Sequence, residues 1–542
     1  MMNECKRNKW TGGQLLAFSG LDGPTDFHHG LTARTSFAAP GLDIVLPGRG
    51  RVHFPVDPSR GVFITGDAFR LGEGADAVTG AFLDTHHLLI SGPCSVENSE
   101  KGLTCLQEGT RTLLGTSVEF QPDLLAADID RAFEERCRWL NQQTLPPETD
   151  PAARRTLLQG LSLMKSQVYS PAGKIRHRWT TPDRWPHRAM WLWDSAFHAV
   201  GWRHLDPDMA RDALSAVLDT QAADGFIAHR MDPNRLSAIT QPPVLALGVK
   251  AVHDLHPAPD WIADVYPKLA AYLKWDFANR DRDGAGLVEW EIEGNPHCRS
   301  GESGMDNSPR FDAATRMDAV DFNAFLAREC EIMAEFAREL GRTEDANRWA
   351  EHHQRLCRLI RERLWSADLN FFVDYDIEKN APSDVLACSG FLPLLCGAAS
   401  PEQAAKLVEH LRNPDTFGTP FPVPSVAACQ ARNLGKDMWR GPVWINLNWL
   451  IAEGLDRYGY TGPAEDLRQQ TRAEIQRHCE TYGTFFEFYD AQRETDPPRL
   501  HRKGACAPEE SPYKQVFHDF GWTATLYVDL CFRAGTVAIS GL

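Results

Sequence analysis

Long apolar runs are missing from this chain: nowhere in its 542 residues do 18 apolar residues follow one another, roughly the length a helix needs to cross a bilayer. The opening MMNECKRNKWTGGQLL also lacks the apolar stretch of about 7–15 residues that marks a secretory signal. The expectation is a cytoplasmic protein with no membrane partner. Positive charge is scarce as well: 57 Lys and Arg stand against 73 Asp and Glu, a net charge of −16. Binding phosphate backbones requires clustered Lys and Arg, so no nucleic-acid partner is expected and a neutral ligand fits better. The 13 cysteines, scattered from Cys5 to Cys531, show no CxxC pairing. They indicate neither a disulfide framework nor a zinc site and read as reduced, mostly buried thiols. No low-complexity tract or fixed repeat interrupts the chain.

What is present is globular: 43% apolar and 24% charged residues, over a length that suggests about two domains, one of them large. Up to residue 120 short β-type runs (DIVL, RVHFPV, GVFIT, HHLLI) alternate with turn residues, which predicts a small antiparallel β domain over 1–120. From about residue 124 the period changes. Leu125, Ile129 and Phe133 repeat at helical spacing, and about a dozen helices are expected over 121–542. Among them are 189–204, 241–255, 316–341, 383–396, 440–458 and 521–534. Helices without interleaved strands exclude a TIM barrel or a Rossmann sheet and leave a bundle, a solenoid or a toroid of helix pairs. The absence of a period counts against the solenoid.

The unusual residues sit in the connections: WPHRAMWLWDSAFHA (185–199), TQPP (240–243), GLVEWEIEGNPHCRSGESGMDNSPRF (286–311), MWRGPVWINLNW (438–449), FFEFYD (485–490) and HDFGWTA (518–524). Aromatics and carboxylates concentrated in loops on an ordinary helical scaffold describe a site, and a sugar is the ligand that suits both. Glycoside hydrolysis needs two carboxyl groups. Asp306 lies in a Gly- and Pro-bearing stretch that precludes a helix; the plainer reading is an Asx turn. Glu487 stands alone among Phe485, Phe486, Phe488 and Tyr489, a setting that desolvates it; the plainer reading is the solvent-facing member of an edge strand. Asp194 reads first as a helix N-cap. Gln241, before two prolines at a helix start, suits a sugar hydroxyl. The tryptophans Trp191, Trp193, Trp290, Trp439, Trp444 and Trp522 divide between core and sugar platform. The loop DRDGAG (281–286) resembles an EF-hand but puts Asn279 first and Trp290 twelfth, so no metal is assigned, and no cofactor.

In this order RWPHRAMWLWDSAFHAVGWRHLDPDMA, QAADGFIAH, TQPPVLA, ESGMDNSPRF, MDAVDFNAFL, WRGPVW, FEFYD and FGWTA resemble the (α/α)6 glycosidases of glycoside hydrolase family 63, in the branch of mannosylglycerate and glucosylglycerate hydrolases. The resemblance runs from about 152 to 534. It implies an (α/α)6 barrel preceded by the β domain and an inverting reaction on α-linked sugars. It further implies Asp306 as general acid and Glu487 as general base, with Trp193, Asp194, Gln241, Glu302, Trp439, Arg440, Trp444 and Trp522 binding the carbohydrate substrate. An inverting pair is expected about 6.5–9.5 Å apart. Two features depart from the pattern: the polar insert 491–517, on the leaving-group side, and the β domain, whose options are a loop for the site, glycan binding or a homodimer contact. The other readings are a trehalase-like hydrolase, a sugar epimerase on the same toroid and a catalytically inactive carbohydrate-binding protein.

Overall fold

The computed structural model describes residues 9–46, 50–55, 57, 61–99, 101–147, 150–430, 432–504 and 514–540. Up to residue 120 the strands among the described residues are β1 (Leu15–Ala17), β2 (Thr32–Thr35), β3 (Gly41–Leu46), β4 (Gly50–His53), β5 (Val62–Ile64), β6 (Ala68–Leu71), β7 (Val78–Phe82), β8 (His87–Ser91), β9 (Ser95–Ser99), β10 (Leu103–Glu108) and β11 (Arg111–Thr116), and the four runs expected from the sequence fall on β3, β4, β5 and β8. Val56, at the end of RVHFPV, lies outside the described residues. Pairing is antiparallel in two sheets, ordered β1-β2-β3-β4-β9 and β10-β11-β8-β7-β6-β5. Alternation along the strands sends Leu16, Ile44, Val52, Phe69, Phe82, Leu88 and Leu114 into one shared core. The opposite face of the six-stranded sheet is covered by Leu125 and by Ile129, Ala132, Phe133 and Cys137 of the first helix, α1 (Ile129–Gln142). That helix therefore packs with the strands.

Among the described residues twelve further helices follow: α2 (Pro151–Ser166), α3 (Leu192–Trp202), α4 (Pro207–Asp219), α5 (Leu245–Leu255), α6 (Pro259–Arg280), α7 (Val320–Glu339), α8 (Thr343–Arg363), α9 (Pro393–Cys396), α10 (Pro401–Arg412), α11 (Ile445–Arg457), α12 (Thr461–Tyr482) and α13 (Gly521–Ser540). Contacts run α3–α5–α7–α9–α11–α13 and back to α3, so six helices close a ring. Every residue of α3 is buried, and α11 exposes only a few of its thirteen. By contrast α8 buries one stripe, Ala346, Trp349, Leu356, Cys357 and Ile360, against α7. The expected helix 383–396 proves shorter, a 3-10 turn over Cys388–Phe391 and then α9, because Pro393 interrupts the amide ladder.

The ring helices begin where chemistry is expected, and their orphan N–H groups take acceptors from elsewhere in the chain. Gln241 Oε1 accepts from Trp193 N at the start of α3 (3.1 Å). Glu329 accepts from Ala246 and Leu247 N of α5, and Asp374 accepts from Val320 N of α7 (2.9 Å). Asp194 is thus not the cap of α3; it sits inside the first turn, behind Trp191. The prolines after Gln241 likewise precede the helix start at Leu245 instead of opening it.

The β layers are bolted by charge to α2, which packs on the ring helix α13. Lys165, 1% exposed, donates to Asp67 Oδ2 (2.5 Å) and to the carbonyl of Arg136 (2.7 Å), with Asp22 Oδ2 at 2.7 Å. Removing one partner of a buried ion pair strands the other charges. Lys165→Met is expected to cost about 3–5 kcal/mol, measured as a fall in urea midpoint with an unchanged slope; a loss under about 1 kcal/mol would contradict the assignment.

Candidate active site

Four of the tryptophans singled out in the sequence meet at the amino ends of the ring helices. Trp193, in the first turn of α3, lies edge-on to Trp522, in the first turn of α13, with centroids 5.2 Å apart. Trp444, at the amino end of α11, stacks parallel to Trp439 at 3.9 Å. All four are at most 3% exposed. Trp444 donates to the carbonyl of Met438. The indole N–H groups of Trp439 and Trp522 are buried without a partner among the described residues. Indole nitrogens inside proteins normally find an acceptor, so these two suit ligand hydroxyls. Trp290 belongs to the core, stacked on Phe322 at 3.8 Å and bonded to Asp321.

The Asp306 loop is fitted against this cluster. Gly304 adopts φ +70°, and a Cβ there would stand 2.5 Å from Cζ2 of Trp193, so only glycine lets the turn lie against the ring. Behind it Arg310, fully buried, forks onto Asp321 (2.6 and 2.8 Å) and Asp374 (2.7 and 2.7 Å), tying the loop to α7. Asp306 itself keeps a partly exposed side chain (18%) and meets Lys503 Nζ at 2.7 Å. The Cys298 thiol, pushed up to about 12 by burial and then by the Asp306 charge, lies beside it. His229, pushed down to about 4 by burial, also faces Asp306.

Glu487 is extended, as its sequence suggests, but not solvent-facing: it is 3% exposed, and its N–H donates to the carbonyl of Phe517 (3.1 Å). Its Oε2 accepts from Arg502 Nε at 2.8 Å. The Arg502 guanidinium lies 4.0 Å from the Phe517 ring centroid, and no described residue bonds Oε1. Burial raises the Glu487 pKa, while Arg502 and His187 oppose the rise. Asp194, also 3% exposed, is raised much further, by burial and then by the charges of Asp183 and Glu487. The cation thus settles which of the two neighbouring carboxyls carries charge: Glu487 is favoured as the anion and Asp194 as the neutral acid.

Two expected ligand residues are turned to other work. Glu302 accepts from Arg280 on both oxygens (3.0 and 2.6 Å) and from the N–H groups of Thr240 and Glu291. With its lone pairs occupied and no exposure, it braces loops and does not offer itself to a sugar. Arg440 pairs with Asp312 (3.0 and 2.7 Å) and donates to the carbonyl of Asn307, joining its own loop to that of Asp306. Gln241 keeps its amide Nε2 clear of described residues, although Oε1 is engaged at α3. His187, Asp437, Arg502 and Lys503 were not anticipated. The one signal for the last two was a basic pair, HRKG, inside an otherwise unexplained insert.

Two cation-held carboxyls, one of them desolvated, beside an aromatic cluster with N–H donors unpaired among the described residues suit carbohydrate chemistry, and the chain is a glycoside hydrolase. It belongs to the family described as the mannosylglycerate hydrolase MGH1-like glycoside hydrolase domain, which matches residues 186–523. Mannosylglycerate hydrolase of Thermus thermophilus is 27% identical over 398 residues, covering 58% of this chain and 92% of the relative. Glucosylglycerate hydrolase of Mycolicibacterium hassiacum is 24% identical over 410 residues, 57% of this chain and 87% of the relative. The crystal structure of the Thermus thermophilus mannosylglycerate hydrolase in complex with glucose superposes with a TM-score of 0.56 at 26% identity, over 68% of this chain and 98% of that one. Saccharomyces cerevisiae neutral trehalase shares the fold at 19% identity (TM-score 0.53, 66% of this chain and 73% of that one).

Gly304→Ala tests the fit between loop and cluster. The substitution combines a positive φ with a clash and is expected to cost about 2 kcal/mol and to change the near-ultraviolet circular dichroism of the tryptophans. A variant with wild-type spectrum and stability would show that the turn has slack.

Proposed function

We propose that this chain is an inverting α-glycosidase on an (α/α)6 barrel, with Asp306 protonating the glycosidic oxygen and Glu487 activating water. The observation that carries this reading is that the two carboxyls, 181 positions apart in sequence, are gripped by consecutive residues, Glu487 by Arg502 and Asp306 by Lys503. The pair is therefore spanned by one dipeptide beside the aromatic cleft. Glu487, fixed through Oε2 with Oε1 clear, has the form of a base. Asp306, the more exposed of the two, has the form of an acid that meets a leaving group. Trp193, Trp439, Trp444 and Trp522 wall the sugar, and Asp194 and Gln241 hold hydroxyls. The substrate class is a short α-mannoside or α-glucoside, as the names of the relatives suggest. No helix among the described residues is long and apolar enough to cross a membrane, and a cytoplasmic location suits the reading. The strand-rich stretch 1–120 is proposed as a domain of its own, with the helical stretch 121–542 as the catalytic one.

The test is hydrolysis of α-glucosides and α-mannosides by purified protein, with the product anomer followed by NMR. The β-anomer should appear first, and Asp306→Asn and Glu487→Gln should each lower kcat by at least about 100-fold. Initial release of the α-anomer, or full turnover by either variant, would sink the assignment.

The pH profile gives a second check. Glu487 must be ionised to act, so kcat/KM should climb as pH rises through its elevated pKa. The titratable and charged groups facing it are Arg502 and His187, which favour the anion, and Asp194, whose ionisation would disfavour it. Arg502→Met removes the strongest opposing influence, and the acidic limb should move to higher pH. A limb that stays put or moves to lower pH would separate Glu487 from the base.

A further inference from the structure

The two cationic contacts at the site differ in kind. Arg502 and Glu487 are both sealed in, with side chains 5% and 4% exposed, and the guanidinium is sandwiched against Phe517. Lys503 and Asp306 remain open to solvent, at 27% and 18%. A sealed pair is broken only at large cost; an open one exchanges readily with another partner.

Hydrogen-bond chemistry then separates their roles. An ammonium is a donor only, so an oxygen bonded to it is acting as an acceptor. A general acid must donate a proton to the glycosidic oxygen from that same carboxyl. With Oδ2 taken as the donating oxygen, the Lys503 contact and the acid step exclude each other there.

The backbone keeps Lys503 where it is. Its N–H donates to Asp437 Oδ1, and that of Gly504 to Asp437 Oδ2, both at 2.8 Å. Asp437 also accepts from Asn307 Nδ2 at 3.2 Å, and Asn307 is the residue next to Asp306. His501 is pinned on the same loop through the carbonyl of Lys436 (2.8 Å) and the N–H of Met438 (3.2 Å). Lys503 is held at φ +57°, a conformation disfavoured for any residue with a Cβ. Glycine would sit there with less strain; the lysine is accommodated for its side chain.

We propose that Lys503 is a displaceable occupant of the Asp306 carboxyl, withdrawn each time a glycosidic oxygen arrives, and that Arg502, its chain neighbour, is the permanent positioning residue of Glu487. The inference rests on the acid and base assignments above. One dipeptide thus reports on both ends of the reaction: its first side chain is a fixture, its second a competitor of the substrate. The long, flexible lysine stem and its three rotatable donors suit the second task, and the planar fork of arginine suits the first.

The experiment is steady-state kinetics of the full chain on methyl α-glucoside or α-mannoside, whose alkoxide leaving group must be protonated, and on the matching glycosyl fluoride, whose leaving group needs little protonation. Lys503→Met should lower KM by about five-fold, equivalent to about 1 kcal/mol at 1.4 kcal/mol per decade, with kcat held within about two-fold. Arg502→Met should lower kcat roughly 100-fold on both substrates with KM little changed, and Arg502→Lys should recover part of it. An unchanged or raised KM in Lys503→Met overturns the proposal. So does a kcat loss confined to the methyl glycoside, which would make Lys503 a helper of the proton transfer. A wild-type kcat in Arg502→Met would remove the positioning role. Asp306→Asn is the independent control. It should lose the glycoside and keep the fluoride; if it keeps both, the failure lies with the acid assignment and not with Lys503.

Discussion

A carboxylate enclosed by phenylalanine and tyrosine rings is tolerated only beside a compensating cation, and the Arg502 bond to Glu487 supplies it. Much of the site's arrangement follows from that contact. The guanidinium needs a flat apolar surface, and Phe517 provides one. It must arrive from a segment that can reach the aromatic cleft, which is the task of the stretch around 495–504, and that stretch is secured by the two oxygens of Asp437. Asp194 can then remain neutral next to a charged neighbour, because the cation has already selected which carboxyl ionises.

The scaffold serves the same end. Buried acceptors from remote parts of the chain, Gln241, Glu329 and Asp374, satisfy the amide groups at the starts of α3, α5 and α7. Each acceptor fixes one helix end relative to another element, so the aromatic side chains projecting from these ends keep their spacing. This explains why residues that look like sugar ligands in the sequence, Glu302 above all, are consumed by the frame: the same chemistry that binds a hydroxyl also binds a peptide N–H.

The sequence was most legible where a periodicity or a compositional contrast existed. Strand alternation before residue 120 and helical spacing after 124 gave the order of elements, and the clustering of Trp, Asp and Glu in loops gave the location of the site. Pairing was not legible. Nothing in GESGMDNS tells that Asp306 meets a lysine nearly two hundred positions later, and nothing in FFEFYD tells that Arg502 lies under Phe517, since neither contact leaves a local pattern. The insert 491–517 read as a departure, yet its described part delivers both cations; residues 505–513 lie outside the described residues. Arg440 and Glu302 show the converse: a motif records that a residue is required, not whether a ligand or the protein requires it, and both side chains here bond the protein.

The shared orientation of the ring helices has an electrical consequence. Three of them, α3, α11 and α13, bring their amino ends to the tryptophan cluster, where aligned peptide dipoles create a positive potential. Breaking a glycosidic bond builds positive charge on the sugar, which that potential opposes. Glu487, the carboxyl favoured there as the anion, is therefore also a counterweight: it brings the local field back toward a sign under which a cationic sugar can form.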